Sequence, residues 1–186
     1  QLESESDKAL PVAVNRATSQ AVNGKIYIFG GQISNTELNP KTYIFDPNTG
    51  WTTGTDMPNP RFGLSSFVDG DTVYLVGGKD TNGIAQKTLL SYNRATQIWG
   101  ELSGVEMLQA VSEHLSVSLG ANHYVLGGNS DSQNNLQNVS LFDAGSLAAA
   151  SSNAGLQSQG SPTVIVLTGT DQENDPLSYK VSALPT

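Results

Sequence analysis

Three glycine pairs, Gly30-Gly31, Gly77-Gly78 and Gly127-Gly128, are the only Gly-Gly dipeptides in the chain, and they stand 47 and 50 residues apart. The residues around them keep the same register. A tyrosine (Tyr27, Tyr74, Tyr124) lies three residues before each pair, inside the runs KIYIF, TVYLV and HYVL. A second aromatic (Phe45, Tyr92, Phe142) lies fourteen residues after each pair and is followed by Asp46, Asn93 or Asp143. Trp51 and Trp99 come next in the first two sets, whereas the third has Leu147 and alanines. Three aromatic-diglycine-aromatic sets in one register leave little room for coincidence, and a period near 50 residues marks a repeat architecture in which each unit buries its faces only against its neighbours.

The pattern resembles the kelch repeat over roughly residues 10 to 145. The resemblance implies an all-β fold of kelch-type β-propeller blades, three four-stranded antiparallel blades forming a partial ring. The diglycine would end an inner strand where backbones crowd, and the Tyr and Trp would fill the space between blades. Strands are expected near 18–23, 25–30 and 42–46, then 64–69, 72–77 and 88–92, then 115–120, 122–127 and 137–142. The turns VNGK, VDGD and LGAN fall between the first two strands of each set and carry hairpin chemistry. A fourth, outer strand is expected at Trp51 and at Ile98-Trp99, and none after Asp143.

Propellers close with about four to eight blades, so three leave two apolar faces open. The segment DKALPVAVNR corresponds to TDMPNPRFG of the first repeat and reads as the outer strand of a preceding blade, around Asp7–Val14. The expected solutions are a homo-oligomer, two copies meeting head to tail in a six-bladed ring, or completion by another chain or by sequence outside this one.

The chain divides into kelch repeats at 1–143, with blades at about 15–60, 61–112 and 113–143, a flexible Ala/Ser/Gly/Gln-rich linker at 144–162, and a segment at 163–186. In the last, TVIVLTGTD and LSYKVSA flank the turn DQENDP. This is similar to the opening of bacterial cadherin-like or immunoglobulin-like repeats, and implies a C-terminal β-hairpin of an incomplete sandwich and a location outside the cell, at its surface or in the periplasm. Asp171, Glu173, Asn174 and Asp175 bring several oxygen ligands into five residues, which makes Ca²⁺ the candidate cofactor; a polar turn closed by Pro176 accounts for the same residues without a metal.

With nine Lys and Arg against seventeen Asp and Glu, and a net charge of -8, the chain lacks the basic stripe that nucleic acid or an anionic membrane surface requires. No apolar run approaches the ~20 residues of a membrane span, and the N-terminus has no basic and apolar leader, so a soluble chain is expected. There is no cysteine, which rules out disulfides, thiolate catalysis and the cysteine-crosslinked tyrosine that a galactose-oxidase-like kelch enzyme uses. His114 and His123 have no Ser or Cys arranged for a triad.

In kelch propellers arginines just before a blade's innermost strand often line the central pocket. Arg61 in NPRFGLSSF matches that position, Arg16 is close to it, and the third repeat has Glu113-His114 there, so these four are the candidate ligand-binding residues; Arg61 capping or ion-pairing between blades accounts for it equally well. The loops QISNTELNP, KDTNGIAQ and NSDSQNNLQN are rich in amides and hydroxyls and suit a protein or glycan partner. The expected function is a secreted or surface-exposed binding and assembly module. The non-catalytic part of a carbohydrate-active kelch enzyme and a structural subunit of an extracellular filament are the competing readings.

Overall fold

The computed structural model describes residues 8–132 and 135–143 and the backbone of the strand at 165–167. Among these residues the regular structure is almost all β. The first sheet is ordered β1 (Thr18–Val22), β2 (Lys25–Phe29), β5 (Tyr43–Asp46), β6 (Gly50–Thr53), and a small hairpin of β3 (Gln32–Ser34) and β4 (Glu37–Leu38) projects between β2 and β5. The second runs β7 (Ser65–Asp69), β8 (Thr72–Val76), β9 (Gln86–Asn93), β10 (Ile98–Val111), and the third β11 (Leu115–Leu119), β12 (Asn122–Leu126), β13 (Val139–Asp143), β14 (Ile165–Leu167). Within each four-stranded sheet every pairing is antiparallel.

The inner hairpins follow from their turns. Asn23 and Gly24 have φ of 51° and 74°, the double left-handed conformation of a type I′ turn that matches the twist of paired strands. The outer edges differ from expectation in three ways. Strand β10 extends twelve residues past Trp99, its pairing with β9 broken by irregularities between Glu101 and Glu106 and between Glu106 and Val111. The third sheet does have a fourth strand: Ile165–Leu167 pairs with Val139–Leu141. Residues 165–167 of the run TVIVL, read above as opening a separate sandwich, therefore supply the outer edge of the kelch repeat, and residues 168–186, with the Asp171–Asp175 turn, lie outside the described residues. Residues 8–14 form no strand. They instead pass along the first sheet, where the indole of Trp51 donates to the Lys8 carbonyl at 2.9 Å. Trp99 donates in the same way to Thr55 at 3.1 Å, so 8–17 repeats the connector that enters the second blade.

The core consists of two layers, one at each blade junction. Between the first and second blades, Tyr27, Phe29 and Ile44 meet Val73, Leu75, Leu90 and Tyr92. Between the second and third, Phe67, Tyr74, Val76 and Leu89 meet Val125 and Phe142, with Leu102, Val105 and Met107 of β10 closing the layer. Close approach at these junctions explains the diglycines. The amide of Gly31 donates to the Arg61 carbonyl and that of Gly78 to the Val111 carbonyl, each at 2.8 Å, so the connector entering the next blade lies directly on the pair. A β-carbon at Gly30 or Gly77 would run into those carbonyls.

Candidate binding face at the axial end

Each innermost strand is preceded by one residue in the left-handed conformation: Arg16 at φ 57°, Gly63 at 63° and Glu113 at 55°. These three keep the 47- and 50-residue spacing of the glycine pairs. Their backbones are linked in series, Gly63 N–H donating to the Arg16 carbonyl at 2.9 Å and Glu113 N–H to the Gly63 carbonyl at 2.7 Å. The innermost strands are also cross-linked beside them: the Ser66 carbonyl accepts from the Gln20 amide and the Ser116 hydroxyl, both at 2.7 Å.

The left-handed backbone carries the side chains of Arg16 and Glu113 over Gly63. Arg16 Nε donates to Glu113 Oε1 at 2.7 Å, Nη2 contacts the same oxygen, and Nη1 donates to Gln32 Oε1 at 3.2 Å. The guanidinium also sits 4.4 Å from the centre of the Phe62 ring, a cation–π contact. Gly63 is what permits this, since a β-carbon there would occupy the space of the Glu113 carboxylate. With side chains 39% and 36% exposed, the pair contributes little to stability, about 0.2–1 kcal/mol, and remains open to a partner.

Isolated bridges Asn15–Gln32, Phe62–Lys79 and Ser112–Asn129 put the three post-diglycine loops at this same end. The loop of the second blade is held in shape by Asp80, whose carboxylate accepts from the amides of Asn82 and Ile84 at 2.8 and 3.0 Å. It is fastened to the third blade through Asp131, which accepts from the Ala85 amide and lies 3.7 Å from Lys79 Nζ. Ile84 is left 52% exposed at this loop. The face therefore combines a charged pair, an apolar contact and a polar rim on a rigid frame. Among the described residues no group of three or more His, Asp or Glu is arranged to hold a metal ion.

Of the four candidate ligand residues, Arg16 and Glu113 come together here and Arg61 and His114 do not. The repeat register aligns Arg61 with Val14 and Val111, two residues before the left-handed position. Its guanidinium turns into the second blade, donating to the carbonyls of Gly77 and Thr88 at 3.2 and 2.9 Å and to the Thr88 hydroxyl at 2.7 Å. It is 4% exposed, and burial lowers its pKa against the opposing pull of Glu101 and Asp80. Arg61 is a fastener inside the blade. His114 occupies the place of Ala17 and Leu64 in the other repeats and is 6% exposed. Burial pushes its pKa down to about 4, and the Val76 backbone, short of a full hydrogen bond, opposes that only in part. Gly63, Gln32, Phe62 and Ile84 escaped the sequence reading; stepping the glycine-pair spacing from Arg16 lands on Gly63 and then Glu113.

Residues 16–162 match the family described as the KLHDC2/KLHL20/DRC7 Kelch-repeats domain. The chain is 34% identical over 134 residues to Kelch-like protein terF of Aspergillus terreus, a match covering 64% of this chain and 28% of that protein. It is 32% identical over 120 residues to human Kelch-like protein 23, covering 62% of this chain and 20% of that one. The chain thus spans between a fifth and a third of the length of these relatives. Among solved structures, that of YjhT aligns with a TM-score of 0.56 at 24% identity, over 64% of this chain and 36% of that one, a likeness of fold. The repeated diglycine register, the stacked antiparallel sheets and a family match over most of the sequence lead to one conclusion: the chain belongs to the kelch-repeat family.

Proposed function

We propose that the chain is a protein-binding module that engages its partner at the axial end, with Ile84 as the apolar anchor and the Arg16–Glu113 pair as the polar contact. Kelch repeats serve protein–protein interaction, and the single observation that carries the reading is the exposure of Ile84 at the same end as that pair, on a loop pinned by Asp80 and Asp131. An isolated apolar residue ringed by satisfied polar groups is how a small interface centre is built. The amide-rich loops keep a glycan as the competing ligand.

The test is selection of a displayed peptide library on the purified chain, alongside a glycan array. Peptide ligands that lose at least ten-fold in affinity with Ile84→Ser, and again with Arg16→Ala, support the reading; ten-fold is about 1.4 kcal/mol, within the reach of one interface contact. Peptides unaffected by both variants, or binding on the glycan array alone, overturn it.

A further inference from the structure

The two open faces of the array are the two halves of its own internal junction. At the second junction Phe67 of β7 stacks on His123 of β12 with ring centres 4.1 Å apart. The repeat register aligns Phe67 with Val117 of β11, and His123 with Ile26 of β2. Both of these are exposed, Val117 51% and Ile26 40%, and Val117 is flanked by Leu115 and Leu119, each 71% exposed. A strand presenting Leu, Val and Leu on one side is built for burial, and on the first blade Ile26 aligns with Val73, which is fully buried.

The backbone repeats the match. Gly31 and Gly78 each hold the carbonyl of an incoming connector, that of Arg61 or Val111. Gly128 is their equivalent, and among the described residues no connector carbonyl is seated on it; Val14 is the residue whose carbonyl has the place of Arg61 and Val111. Among the described residues the axial series likewise has a donor left at one end, Arg16 N–H, and an acceptor at the other, the Glu113 carbonyl. Side-chain faces and main-chain groups are therefore complementary at the same two ends.

We infer that two copies of this chain associate head to tail, the first blade of each stacking on the third blade of the other, with Ile26 against Val117 and the Val14 carbonyl on Gly128 N–H. The arrangement has two identical contacts and leaves neither face open.

Sedimentation velocity on the 186-residue chain should give a two-chain particle. Ile26→Glu and Val117→Glu should each raise its dissociation constant at least ten-fold, because each contact uses both faces. Since the chain has no cysteine, one preparation carrying Ile26→Cys and another carrying Val117→Cys can be mixed and treated with a short bis-maleimide. A crosslinked pair should form in the mixture and not in either preparation alone, and this readout introduces no charge that could unfold a blade. The inference is overturned by a monomer at all concentrations. It is equally overturned by crosslinking of the Val117→Cys chain to itself, or by a dimer indifferent to Ile26→Glu in folded protein, since both mean that third blades meet face to face.

Discussion

The two blade junctions serve the same purpose with different chemistry. The first is an aromatic cluster: Phe29 packs edge-on to Tyr92 and Trp99 at 5.3 and 5.7 Å, and no ionisable base lies in the layer. The second is closed by the long outer strand β10 and carries both histidines of the chain, His123 stacked on Phe67 and His114 against Gly77. Geometry is shared between them, while the two histidines both fall in one.

The largest effect is expected from breaking the first junction. Phe29 is fully buried, so Phe29→Ala should cost about 3–5 kcal/mol in urea unfolding followed by tryptophan fluorescence, with no change in the pH dependence of what remains.

Acid should act on the second junction. In the folded chain His114 accepts a proton only near pH 4, whereas an unfolded histidine does so near 6.5. Between those values the unfolded chain binds more protons, so stability falls as pH drops through that window, by about 3 kcal/mol once both values are passed. Burial lowers the pKa of His123 as well, which adds in the same direction. His114→Leu, which copies Leu64 of the preceding repeat, should flatten most of the slope in denaturant titrations from pH 7 to 4. An unchanged slope would remove the distinction between the junctions.

Arg61 belongs to the blade between them. Arg61→Met should cost about 2 kcal/mol by leaving the carbonyls of Gly77 and Thr88 without their donor. Ligand affinity at the axial end should be untouched, as measured by titration calorimetry with a selected peptide. The smallest effect is expected from Arg16→Ala, which should change thermal stability by less than about 1 kcal/mol because its ion pair is exposed.

What the sequence made legible was local. The Asn23-Gly24 turn acts within its own hairpin, and Tyr27, Gly30-Gly31 and Phe45, whose partners lie farther off, are marked by a spacing that recurs in each repeat and so carries the blade. Non-local contributions were harder to see. Strand β14 pairs with β13 across residues 144–164, with no turn signal to announce it, and its apolar run reads equally well as the start of another domain. The inner half of β10, GVEMLQAV, lacks strict alternation because irregular pairing re-aims its side chains, so its contribution to the second core layer was not evident. At the candidate site the family position that Arg61 matches does not mark the exposed residues; the deciding property is the left-handed backbone two residues on, where Arg16, Gly63 and Glu113 align.

Gly63 has a thermodynamic consequence for the array as a whole. A stack of repeats is described to first order by a term for each unit and a term for each adjacent pair, so that a perturbation fades after one junction. By yielding its side-chain space, the middle blade lets a cation ahead of the first strand set reach an anion ahead of the third. The lattice gains a second-neighbour coupling, and the outer units retain a direct energetic link that bypasses the unit between them.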